Sequence, residues 1–72
     1  MEFLVRLNRF CKNNNAVFVT SSVAHNQVEI MVTFIRNNRT KHVFKNIGAE
    51  ICPIEVNALF RFLEKEMVNT WN

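Results

Sequence analysis

The chain begins with apolar residues at helical spacing. Phe3, Leu4, Leu7, Phe10 and Cys11 share one stripe, with Arg6, Arg9 and Lys12 on the opposite side. This predicts a helix over residues 2–13. The run Asn13–Asn15 closes it, because asparagine tolerates the left-handed conformation at a helix C-terminus. The period then changes. Ala16–Ser21 is rich in β-branched and aromatic residues and predicts a first strand, with the connection held in Ser22–Gln27. Val28–Arg36 alternates cleanly: Val28, Ile30, Val32 and Phe34 on one face, Glu29, Met31, Thr33 and Ile35 on the other. Thr40–Ile47 predicts the second arm of a hairpin. Beyond Gly48, Val56, Leu59, Phe60, Leu63 and Met67 return to helical spacing, with Pro53 and Glu55 in the first turn, where both are favourable.

The pattern predicts one domain over residues 1–72, of the α+β class: αβββα, a three-stranded antiparallel meander with two helices packed on one face, the face of Val32 and Phe34. The register of the second hairpin decides what the other face carries. An even loop pairs Phe34 with Lys41 and Ile30 with Lys45, which places lysines on the apolar face. An odd loop, Asn37-Asn38-Arg39, pairs Phe34 with His42 and Val32 with Phe44. A one-residue slip turns every side chain over, so avoiding buried lysines favours the odd loop. The open face is then expected to carry Met31, Thr33, Ile35 and Val43, rimmed by Glu29, Lys41 and Lys45. An apolar centre with a charged rim is the anatomy of a protein interface. The expected partner is a second copy of the chain, an unidentified protein, or both.

Composition narrows the alternatives. A chain of 72 residues, 49% of them hydrophobic and seven of them Phe, folds but hides little surface. A dimer would support it. One glycine and no aspartate exclude a phosphate-cradling loop and a Ca²⁺ loop. No segment is an uninterrupted apolar run of membrane-spanning length. Cys11 and Cys52 lack a CxxC spacing, which predicts a reduced, cytoplasmic protein. The heavy use of asparagine points to an AT-rich genome, such as that of a phage or mobile element.

The net charge is +3. Arg36, Arg39, Lys41 and Lys45 around the hairpin, with Arg6, Arg9 and Lys12 on the first helix, are the residues a nucleic acid would meet, and form the alternative functional reading. The bland reading is that they keep a hairpin tip soluble. Double-stranded-RNA-binding domains share the αβββα order, but their second helix opens with lysines where this chain has "AEICPIE", so only the order is shared. Ser21, Ser22 and His25 lie together, with no aspartate to orient the histidine. Cys52 precedes a helix, where a thiolate is stabilised, although such a cysteine is more often a small buried hydrophobe. His25, His42 and the two cysteines match no zinc spacing. No catalytic residue, metal or cofactor is expected. Phe62 lies off the main stripe and Trp71 near its end; both are candidates for either core edge or partner contact.

Overall fold

The computed structural model describes residues 2–71. Elements follow in the order α1 (Glu2–Asn13), β1 (Ala16–Ala24), β2 (Gln27–Arg36), β3 (Arg39–Gly48) and α2 (Pro53–Trp71). The sheet is an antiparallel meander of order β1-β2-β3. α1 packs over β1 and α2 over β3, and both lie on one side of the sheet. The expected αβββα fold is the observed one.

The core is a sandwich of three stripes. α1 contributes Phe3, Leu7 and Cys11, the sheet contributes Ile30, Val32, Phe34, Val43 and Ile47, and α2 contributes Val56, Leu59, Phe60 and Leu63. Phe10 joins the layers: its ring meets Phe34 at 6.3 Å and Phe60 at 5.8 Å, edge-on in both cases. Arg6 locks the helices together from outside. Its Nη1 donates to Asn57 Oδ1 at 3.0 Å, and its guanidinium carbon sits 4.2 Å from the centre of the Phe60 ring.

Asparagine makes the turns. Asn15, Asn26, Asn37 and Asn38 all adopt positive φ, between 50° and 64°, a region their short polar side chains tolerate. Asn14 Nδ2 donates to Phe10 O at 2.8 Å and Asn15 Nδ2 to Ile35 O at 2.7 Å, which closes α1 and hands the chain to the sheet. The link from β3 to α2 is tied differently. Glu55, in the first turn of α2, accepts from Gly48 N at 3.0 Å, and the Cys52 carbonyl accepts from Val56 N at 2.9 Å. A Cβ at position 48 would approach Glu55 Oε1 to 3.2 Å, tighter than ordinary contact. Ile51 in this link has φ 56°, an uncommon conformation for a β-branched residue.

The hairpin register corrects the expectation. The loop is the two residues Asn37 and Asn38, and pairing runs Arg36–Arg39, Phe34–Lys41, Val32–Val43 and Ile30–Lys45. Two adjacent residues at positive φ form the type I′ turn whose twist matches the strands it joins. The lysines are not buried by this choice. β3 is an edge strand, and both Lys41 and Lys45 are exposed while Val43 between them is covered. At an edge, a long side chain can lay its aliphatic stem on apolar surface while its charged head reaches water. Lys45 Nζ ends 5.4 Å from the centre of the Phe62 ring, and Phe62 is half-buried beneath it. The first connection is also shorter than expected. β1 continues past Ser21 through Ser22 and Val23, with a register shift between Ser22 and Ala24, and only His25 and Asn26 make the turn. The Trp71 side chain lies outside the described residues.

Candidate functional site: the helix-free face of the sheet

The pairing settles which side chains share the open face, because residues opposite one another in an antiparallel ladder point the same way. Val17, Thr33 and His42 form one row, Val19, Met31 and Phe44 the next, and Ser21, Glu29 and Asn46 a third. Ile35 lies beside Thr40 at the hairpin end. No helix covers this side. Val17, Val19, Ile35 and Phe44 are exposed, and Phe44 keeps 55% of its surface in water. Met31 is half-buried among them.

Thr33 is the buried centre of the face, at 7% exposure. Its hydroxyl is 2.7 Å from His42 Nδ1, so two polar groups in an apolar row satisfy each other. Around this pair the face presents a methyl, thioether and phenyl surface with Ser21, Asn46 and Thr40 at its margins.

Three of the six expected interface residues are on this face: Met31, Thr33 and Ile35. The other three are not. Val43 is core, at 5% exposure. Lys41 and Lys45 share its side of the sheet, the side under the helices. The two-residue loop moves all three across. In their place come His42 and Phe44, which the odd register had assigned to the core. Val17 and Val19 were also missed. Their alternation with Ala16 and Phe18 carried the signal, but it could not be oriented without the β1–β2 register.

This has an electrostatic consequence. Arg36, Arg39, Lys41 and Lys45 all occupy positions on the helix side of the ladder. The open face therefore carries no lysine or arginine, although the chain has nine. Its one carboxylate is the half-buried Glu29.

The remaining candidates are scattered. Arg6 is engaged between the helices, while Arg9 and Lys12 are exposed on α1. The end of α1 and the hairpin meet where Ile35 N donates to Asn15 O at 3.1 Å, so Lys12, Arg36 and Arg39 gather at one end of the molecule. Cys11 is buried, and burial pushes its thiol up to about 11. Cys52 lies half-buried at the start of α2, His25 in the first turn and His42 on the open face. Ser21 and Ser22 point to opposite sides of β1. Among the described residues, no group of three or more His, Cys, Asp or Glu is placed to hold a metal ion. No described helix is long and apolar enough to cross a membrane. No protein-family model, curated protein or solved structure matches this chain.

Proposed function

We propose that this chain is a small non-enzymatic protein-interaction module, and that its first partner is a second copy docked on the helix-free face of the sheet. One observation carries the reading: a chain of net charge +3 presents a contiguous apolar face from which every cation is absent. Two such copies repel one another through most of their surface. At this face they meet without cation against cation, and they bury Val17, Val19, Met31, Ile35 and Phe44 in doing so. A self-complementary face is what a two-fold dimer requires.

Light scattering across the micromolar range tests this. The parent is expected to gain mass with concentration, and Phe44→Lys and Ile35→Lys to associate far more weakly than the parent while melting as cooperatively. A parent that is monomeric throughout, or variants that associate as it does, would sink the reading. The alternative is nucleic-acid binding through Lys12, Arg36 and Arg39 at the hairpin end. Salt separates the two. Phosphate contacts weaken steeply as salt rises, whereas association of two like-charged copies strengthens as their repulsion is screened.

A further inference from the structure

A sheet edge exposes unpaired backbone groups, and proteins protect such edges with charge, proline or short strands. The two edges of this sheet are treated differently. β3 carries Arg39, Lys41 and Lys45. β1 reads AVFVTSSVA, nine residues without a charge or a proline.

The hydrogen-bond pattern shows which of its groups are free. Ile35 N donates to Asn15 O at 3.1 Å, so these two residues form a hydrogen-bonded pair. Such pairs alternate along an antiparallel ladder. Val17 with Thr33, Val19 with Met31 and Ser21 with Glu29 are therefore the next ones. The peptide groups of Ala16, Phe18 and Thr20 point the other way, out of the sheet. Beside them a groove of about 510 Å³ runs between the edge and α1, lined by Asn8, Cys11, Lys12, Ala16, Val17 and Phe18.

We infer that the free edge of β1 is a strand-addition site, and that its occupant is β1 of a second copy, running antiparallel about a two-fold axis at Phe18. The edge is complementary to itself. With Phe18 opposite Phe18 of the second copy, Ala16 meets Thr20 and Val17 meets Val19. The outward N–H and C=O groups of all three free residues then find partners, and no charge faces a charge. A slip of two residues in one direction sets Ser21 against Val17, and in the other Asn15 against Val19, so packing of β-branched pairs selects the Phe18 register. The two three-stranded sheets become one of six strands, with the cation-bearing β3 at both outer edges, where growth stops. This inference shares its occupant with the proposed function but not its surface, so the two fail separately.

The test uses the full chain carrying Phe44→Lys, which removes docking through the open face. Sedimentation equilibrium is expected to find residual dimer. Thr20→Pro deletes an outward N–H without touching the β1–β2 ladder, and Thr20→Lys adds a charge to the edge. Each is expected to weaken the dimer at least tenfold. In a second arm, Ala16→Cys and Thr20→Cys chains, both also carrying Cys52→Ser, are mixed and mildly oxidised. The mixed disulfide should dominate over either self-linked product. Both positions lie on the helix side of the sheet, where face docking cannot join them. A monomeric Phe44→Lys chain, unchanged association in both Thr20 variants, or no excess of the mixed disulfide would each overturn the inference.

Discussion

Replacing Val43 and Phe44 in turn tests the β2–β3 register on which the open face depends. Val43 is 5% exposed and Phe44 is 55% exposed. Val43→Ala removes two methyl groups from the core, about 1.6 kcal/mol at about 0.8 kcal/mol for each. The unfilled space beside Val32 raises the cost to about 2 kcal/mol. Phe44→Ala removes a larger side chain, but one whose ring is already half in water, and should cost less than about 1 kcal/mol. Chains of 72 residues are stable by about 4–11 kcal/mol, so both variants fold. Urea unfolding resolves the two. With a slope of about 1 kcal/mol per molar for so small a protein, Val43→Ala lowers the midpoint by about 2 M and Phe44→Ala by less than about 1 M. If the proposed association holds, the parent midpoint should rise with protein concentration, because association stabilises the folded chain by mass action. Val43→Ala should keep that dependence and Phe44→Ala should weaken it. A three-residue loop would put Phe44 in the core and Val43 outside. A larger loss for Phe44→Ala than for Val43→Ala therefore refutes the register, and the open face as drawn here goes with it.

Arg6→Ala should cost about 1 kcal/mol in urea unfolding through the lost Asn57 and Phe60 contacts, and Arg6→Lys should recover only part of it, because an ammonium lacks the planar fork. At Asn38, with φ 64°, Asn38→Ala should lose about 1 kcal/mol in thermal unfolding, while Asn38→Gly stays at the parent value or above it. Ile51→Gly should be no worse than Ile51→Ala, the reverse of the usual order, because only glycine relieves the positive φ; chemical unfolding of the pair decides it. Burial raises the Cys11 thiol from 9.0 to about 11, and the folded chain resists forming its thiolate. The stability from this group is complete below pH 9 and is lost as pH rises toward 11, so Cys11→Val should unfold with a flatter alkaline slope.

Much of the fold was legible because periodicity reports burial directly. The stripe Phe3, Leu7, Cys11 and the stripe Val56, Leu59, Phe60, Leu63 are the buried faces of the two helices, and Val32 and Phe34 point beneath them. Loop geometry was less legible, because it depends on one or two residues whose effect extends along a whole strand. Asn37 and Asn38 were recognised as a turn, but the lysines of β3 were treated as residues that must avoid the apolar face. That argument holds for a central strand and fails for an edge, where a long side chain reaches water from the covered side. Ser22 of β1 misled in the same way. It resembles a loop residue by composition, yet an exposed edge strand tolerates it. Of the six expected interface residues, Met31, Thr33 and Ile35 lie on the helix-free face, since their side depends on β2 alone. Lys41, Val43 and Lys45 depended on the loop.

The register error and the functional reading meet at one point. Placing Lys41 and Lys45 on the helix side spends part of the covered face on residues that contribute little to the core. Lys45 recovers some of the loss by placing its ammonium 5.4 Å from the centre of the Phe62 ring, while Lys41, opposite Phe34, is exposed. The same placement releases the opposite positions, which His42 and Phe44 fill. A monomer gains nothing from that exchange, because it exposes a phenyl ring that the odd register would have buried. An associating chain would gain a cation-free surface for docking, together with a β3 edge whose cations discourage pairing there. Those cations leave β1 as the less protected edge, so the arrangement that weakens the isolated chain is also the one that would direct where a second copy attaches under the proposed association.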